Sequence, residues 1–244
     1  MITTVLIDID GTICVGPQLI DGAGDVINWM HSKGLRIIYF TNDSSRSRSQ
    51  ISERLRLAGL DCSKDDIISS GFMAANYVSK NNLENVYISG TDGLKDEFKD
   101  CGIPTVNPEN ANTLIIGMDP DYNYKKMKDA INIAIKAKTI IACNNEKVFR
   151  CSNDMICPGC GAMVSSISYC SSKSPDVVIG KPNPYMLEYV LFKYNLNKDE
   201  ILIVGDTPES DIAMADKFGS RSVLVNTNGS LSIKDLPAVI EKII

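Results

Sequence analysis

Along the chain, short runs of Ile, Val and Leu alternate with longer stretches in which apolar residues recur every three or four positions. The runs Thr4–Asp10, Leu35–Asn42, Val86–Gly90, Leu114–Asp119, Thr139–Asn144, Asp176–Gly180, Ile201–Asp206 and Ser222–Asn226 predict strands. Most lack the apolar–polar alternation of a half-exposed strand, which predicts strands covered on both faces. Between them the pattern predicts helices over 23–33 and 47–58, each followed by a glycine, Gly34 and Gly59, where a helix C-terminus places one. A third, over 123–137, carries Tyr124, Met127, Ile131, Ala134 and Ile135 as a core-facing stripe. Strand–helix alternation of this kind predicts parallel sheets in an α/β fold.

No segment repeats with a period of 20–50 residues, and none is of low complexity. There is no linker either, so a second domain has to be an insertion. The polar, turn-like stretches Asn81-Asn82 and Ser171–Pro175 bracket it. The expected division is a first domain of residues 1–79 plus 176–244 and an inserted domain of residues 80–175.

Chemistry collects at the ends of the apolar runs. Val5-Leu6-Ile7-Asp8-Ile9-Asp10, Ile37-Ile38-Tyr39-Phe40-Thr41-Asn42 and Ile201-Leu202-Ile203-Val204-Gly205-Asp206 all finish on polar residues, and Val177-Val178-Ile179-Gly180 leads into Lys181. In an open α/β sheet the ligand site lies outside the carboxyl ends of the strands. If these runs are neighbouring parallel strands, Asp8, Asp10, Thr41, Lys181 and Asp206 converge on one crevice. A polar residue after a strand often only caps the next helix; that explains any one of these positions, but poorly explains carboxylates and a lysine together. Carboxylates brought close repel unless a cation shares them, and hard oxygen ligands suit Mg²⁺. A lysine and a threonine hydroxyl beside such a cation suit a phosphoryl group. In Asp8-x-Asp10 the first carboxylate can attack phosphorus, and the second can give and later take a proton. Gly11 allows a sharp turn that offers amide N–H groups to phosphate oxygens.

Asp8-Ile9-Asp10-Gly11-Thr12 resembles the first motif of the haloacid dehalogenase (HAD) superfamily. Thr41-Asn42-Asp43-Ser44-Ser45-Arg46 resembles the second motif of the branch that includes 4-nitrophenylphosphatase, phosphoglycolate phosphatase and NagD-like proteins. Gly180-Lys181-Pro182 is similar to the third motif, and Gly205-Asp206-Thr207 with Asp211-Ile212 to the fourth. The resemblance implies a doubly wound, mostly parallel Rossmann-like core with an inserted α/β cap. It implies Asp8 as nucleophile and Asp10 as general acid/base. It further implies Mg²⁺ held by Asp8, Asp206 and the backbone carbonyl of Asp10, with Asp211 in a supporting position behind them. Thr41, the backbone N–H of Asn42 and Lys181 would bind the phosphoryl group. The implied activity is phosphomonoester hydrolysis of a small phosphorylated metabolite. A phospho-ligand sensor or a phosphotransferase on the same fold is the alternative; Asp10 argues against a pure binder, which has no use for a proton shuttle. Pairing through the caps would make the protein a homodimer.

Composition narrows this further. With 25 basic and 30 acidic residues among 244, the net charge is −5, which argues against a nucleic-acid backbone as partner. No apolar run reaches the roughly 18 residues of a membrane span, and the start has no basic leader segment, so a cytoplasmic protein is expected. The single histidine, His31, falls at the end of a predicted helix, where a cation is favourable, and a His-based triad lacks material. Gly180-Lys181 is no P-loop, because Pro175 and Pro182 stand where that motif needs glycine and Ser or Thr. Cys143, Cys151, Cys157 and Cys160 are separated by seven, five and two residues, a spacing unlike common zinc sites, so packing cysteines are expected. Arg46, Arg48, Arg54 and Arg56 read as a solvated basic face. Arg150 and Asp154, in the stretch 144–158 of the insertion, are candidates for reading the leaving group.

Overall fold

The computed structural model describes residues 1–150, 155–227 and 229–244. The chain forms two compact units, one of Met1–Thr41, Ile51–Ile68 and Lys181–Ile244, the other of Asn42–Gln50 and Ser69–Gly180. The first part of the chain supplies strands β1 (Thr4–Ile7), β2 (Cys14–Val15), β3 (Gln18–Leu19), β4 (Arg36–Thr41) and β5 (Ile67–Ser69). Then follow β6 (Val86–Ser89), β7 (Thr113–Ile116), β8 (Thr139–Ala142), β9 (Val148–Arg150), β10 (Ile156–Pro158) and β11 (Val177–Val178). The chain returns to the first unit with β12 (Ile201–Gly205) and β13 (Arg221–Leu224). The helices are α1 (Ala23–Ser32), α2 (Arg48–Leu57), α3 (Ser70–Lys80), α4 (Asp92–Asp100), α5 (Tyr124–Lys136), α6 (Cys160–Ser171), α7 (Tyr185–Tyr194), α8 (Ala213–Phe218) and α9 (Leu236–Ile240).

In the first unit the sheet runs in the order β13-β12-β1-β4-β5, with β13, β12, β1 and β4 parallel. Leu6 lies opposite Ile203 on one side and Ile38 on the other. Every residue of β1 is buried, as the unbroken apolar run predicts. One face of this sheet, through Val5, Ile7, Ile37, Tyr39, Leu202 and Val204, shares a core with Val26, Ile27 and Met30 of α1 and with Leu236 and Ile240 of α9.

The second unit has its own parallel sheet, in the order β11-β8-β7-β6. Leu114, Ile116, Ile140 and Ala142 pack on Ala130, Ile133 and Ala134 of α5 and on Met163, Val164 and Ile167 of α6. β9 and β10 form an antiparallel hairpin. Arg150 ends β9, and Asp154 lies outside the described residues.

One sequence expectation is corrected here, and the units divide at other residues than the expected ones. The run at 177–180 does not join the first sheet: Val177 pairs with Ile141 and Val178 with Ala142 in the second. Consequently residues 176–180 belong with the second unit, and α3, expected before the insertion, does too. The units divide at Thr41/Asn42, Gln50/Ile51, Ile68/Ser69 and Gly180/Lys181, where the sequence pattern suggested 80 and 175.

The stretch Asn42–Gln50 is the least expected member of the second unit, and its hydrogen bonds explain its place there. Asn144 Nδ2 and Ser70 Oγ donate to the Asn42 carbonyl at 2.7 and 2.6 Å, and Asn42 Nδ2 donates to Glu146 Oε1 at 2.8 Å. Met118 N donates to Ser44 Oγ, and Thr91 Oγ1 donates to the Ser45 carbonyl. Arg48 is buried, with Nε 2.8 Å from Glu97 Oε1 and its guanidinium 3.6 Å from the centre of the Phe72 ring. The basic run is thus no uniform solvated face. Arg46 and Arg56 pair at the surface with Asp43 and Glu53, while Arg48 is interior.

The cysteines also divide. Cys143 and Cys160 are buried free thiols, as expected for packing residues, whereas Cys157 is disulfide-bonded. Burial pushes the Cys160 thiol up to about 12.

Candidate active site

The first unit gathers its charge where its strands end. Asp8 follows the last residue of β1, and its N–H donates to the Val204 carbonyl of β12 at 2.9 Å, so the sheet register carries past the strand. Asp206 follows the last residue of β12. The helical turn Pro208–Ile212 then brings Asp211 back toward the same strand end. Asp8, Asp206 and Asp211 each offer an oxygen within 4.8 Å of the others.

Glycine makes two of these approaches possible. Gly11 has φ +92°, and a Cβ there would lie 2.1 Å from Asp206 Oδ2. A Cβ at Gly205 would lie 2.2 Å from Asp211 Oδ2. Neither contact leaves room for a side chain, so each glycine keeps space for a carboxylate.

Lys181 is the counter-charge. Its ammonium is buried and donates to Asp8 Oδ1 at 2.6 Å, to Asp211 Oδ1 at 2.7 Å and to the Phe40 carbonyl of β4 at 3.0 Å. Lys181 thus reaches Asp8 although the strand before it belongs to the second sheet. Thr12 Oγ1 lies 3.3 Å from both Asp8 Oδ2 and Asp206 Oδ1, and donates between them. The first motif includes Thr12, but the sequence reading assigns it no role. Its position four residues after Asp8, across the turn at Gly11, was the available signal.

Burial raises the Asp8 carboxyl well above the usual carboxylate range; Lys181 opposes the shift, and Asp211 and Asp206 add to it. Asp206 is raised by burial and then by Asp211. For Lys181 burial works against the charge, but Asp211 and Asp8 outweigh it and raise its pKa. The three carboxylates against one ammonium leave a local excess of two negative charges when all are ionised. Such a cluster of hard oxygen donors fits a divalent cation of the Mg²⁺ type.

Thr41 is buried at the end of β4. Asn42 is held within the second unit by the hydrogen bonds described above. Asp211, expected behind the cluster, is a full member of it. The Asp10 carboxylate instead faces Arg54, whose Nη2 is 2.5 Å from Oδ1 and Nη1 3.4 Å from Oδ2.

Comparison with known proteins agrees with this geometry. Residues 5–104 match the model of haloacid dehalogenase-like hydrolases, and residues 178–241 match a HAD-hydrolase-like model. An acid sugar phosphatase of Staphylococcus aureus is 31% identical over 226 residues, which cover 92% of this chain and 86% of that protein. The structure of the p-nitrophenyl phosphatase from Archaeoglobus fulgidus superposes with a TM-score of 0.87 at 28% identity, covering 99% of this chain and 92% of that one. A glycerol phosphate phosphatase from Mycobacterium tuberculosis, solved in complex with calcium, gives a TM-score of 0.81 at 25% identity over 91% of this chain and 66% of that one. The chain belongs to the haloacid dehalogenase-like hydrolases, in the NagD-like branch, and is a phosphatase of that class.

Proposed function

We propose that the protein is a Mg²⁺-dependent phosphomonoester hydrolase that acts on a small phosphorylated metabolite through an aspartyl phosphate on Asp8. The observation that carries this reading is the Asp8 carboxylate at the end of β1, gripped by Lys181 and crowded by Asp206 and Asp211. In the first step an Asp8 oxygen attacks phosphorus, the bond from phosphorus to the leaving oxygen breaks, and Asp10 gives that oxygen its proton. In the second, water attacks the same phosphorus, the bond to Asp8 breaks, and Asp10 takes the proton from water. Inorganic phosphate and the original enzyme result. Lys181, the Thr41 hydroxyl and the Asn42 backbone N–H are the assigned donors to the phosphoryl oxygens.

Asp8, Asp206 and the carbonyl of Asp10 would hold Mg²⁺, and the position of Asp211 makes it a candidate for the same role. The ion supplies positive charge against the phosphoryl oxygens. The second unit is assigned the part of the cap that selects among substrates. The name of the Staphylococcus aureus relative supports placing sugar phosphates in the substrate panel.

The test is phosphate release from 4-nitrophenyl phosphate, glycerol phosphate and several sugar phosphates, with Mg²⁺ and then with EDTA. The expected result is metal-dependent release that the Asp8→Asn protein lacks. Release that survives EDTA or Asp8→Asn would overturn the metal requirement or the covalent step. No release from any substrate, with phosphate binding retained, would favour phosphotransfer or sensing.

A further inference from the structure

Of the four arginines in the run at 46–56, Arg54 has surroundings unlike the rest. Arg46 and Arg56 are about half or more exposed and pair with residues three positions away. Arg48 is interior to the second unit. The Arg54 side chain is only 15% exposed and reaches across 44 positions of sequence to Asp10. Its two terminal nitrogens meet the two carboxylate oxygens of Asp10, at 2.5 and 3.4 Å. The nitrogen nearer Asp10 also donates to the Gly16 carbonyl, in the turn between β2 and β3, at 2.8 Å. The Cys14 thiol, pushed up to about 11 chiefly by burial, lies against the same guanidinium.

A guanidinium that meets a carboxylate with two nitrogens fixes the plane of that carboxylate as well as its distance. Asp10 needs such a restraint, because its side chain is 51% exposed and the cluster of Asp8, Asp206 and Asp211 does not include its carboxylate. A general acid contributes only when its proton lies within hydrogen-bond reach of the leaving oxygen. We propose that Arg54 is a positioning residue for Asp10: it sets the carboxylate, through the fork and the anchored Gly16 turn, for proton transfer to the leaving group. This rests on the acid/base role proposed for Asp10.

The proposal separates from a general structural role by the leaving group. A 4-nitrophenolate departs with little need of a proton, whereas an alkoxide needs one. Because kcat/KM reports on events up to formation of the phosphoenzyme, it isolates the step that uses the acid. Arg54→Met is expected to lower kcat/KM for glycerol phosphate by about 10- to 100-fold and that for 4-nitrophenyl phosphate by less than about 3-fold. Most of the loss should appear in kcat rather than KM. In an Asp10→Asn background the same Arg54→Met change should cost less than about 3-fold on either substrate, because the group it positions is gone. Arg54→Lys, which keeps the charge and loses the fork, should recover only part of the loss.

Equal losses on the two substrates would overturn the proposal. A full additional loss in the Asp10→Asn background, or complete recovery with lysine, would do the same. Should Arg54→Met fail to fold by circular dichroism, Arg54→Gln, which keeps a donor for the Gly16 carbonyl, takes its place with the same expectations. If Asp10→Asn alone costs both substrates equally, the acid role of Asp10 fails, and that result is separable from any effect of Arg54.

Discussion

The two units of this chain solve the same architectural problem with parallel sheets flanked by helices, yet among the described residues only the first stacks three carboxylates at its strand ends. In the second unit the polar residues after the strands do structural work. Asp119, three residues past β7, is buried, accepts from the Asp121 N–H at 3.0 Å, and pairs with Lys126 of α5 at 2.7 Å. Thr91, just past β6, caps α4 by accepting from the Leu94 N–H. Each of these two polar groups has its own partner. In the first unit Asp8 and Asp211 share one lysine, Asp206 has an oxygen within 4.8 Å of theirs, and burial raises Asp8 and Asp206. A polar residue at a strand end is therefore weak evidence of a site; charge left unbalanced at one is strong evidence.

The contrast is broken or sharpened most directly by removing one carboxylate from each side. Asp8→Asn should lower phosphate release by about 10³-fold or more, because the proposed covalent intermediate forms on this carboxylate. Asp119→Asn should leave turnover within about 3-fold. An active Asp8→Asn protein, or an Asp119→Asn protein with lost chemistry, would collapse the distinction.

Stability should respond in the opposite sense. Removing one partner of a buried ion pair leaves the other charge unmatched, at about 3–5 kcal/mol. Glu97→Ala strips Arg48 of both its side-chain pair and the acceptor for its backbone N–H, at 2.8 and 2.6 Å, so urea unfolding should show a loss of this order. A loss below about 1 kcal/mol would mean that the stretch 42–50 does not depend on this anchor.

The third expectation concerns pH. A carboxyl whose pKa is higher in the folded than in the unfolded state binds its proton more tightly when folded. The stability it contributes is thus complete below the unfolded value and fades as pH rises through the folded one. Asp8 and Asp206 are both raised, so metal-free protein should lose thermal stability from about pH 4 upward as these groups ionise. Mg²⁺ should restore it, with a melting-temperature shift that grows with pH and is smaller in Asp206→Asn. A shift independent of pH would place the cation elsewhere. The smallest effect belongs to Asp119→Asn, whose partner Lys126 is 38% exposed; about 1–2 kcal/mol is expected by urea unfolding.

Much of this was legible in the residue pattern, for physical reasons that also mark its limits. Apolar runs announce buried strands, and the polar residues that end them announce where the strands stop, so Asp8, Thr41 and Asp206 could be placed at strand ends from sequence. Hydrophobicity does not say which sheet a run joins. Val177-Val178 looks like a strand of the first unit, and only its pairing with Ile141 and Ala142 assigns it to the second. Arg48 looked solvated because it is charged; its spacing of three and seven residues from the buried Ile51 and Leu55 put it on the apolar side of α2. Asp211 entered the cluster through a wide helical turn beside Gly205, a backbone shape that no side-chain pattern encodes.

The strand order of the first sheet also sets a timetable for synthesis. β1 pairs with β4 on one side and with β12 on the other, Thr4 opposite Ile201, so one of its two edges lacks its neighbour until some two hundred residues have followed it. The second unit, nearly all of it the continuous stretch Ser69–Gly180, has its four parallel strands in hand long before then. Nascent chains at that stage hold a finished second sheet and an unpaired β1 edge, the kind of surface that invites wrong partners. Asp8 is made long before Lys181, Asp206 and Asp211, which stand 173, 198 and 203 residues after it. Of these four residues Asp8 is the first to exist and the one that waits longest for its surroundings.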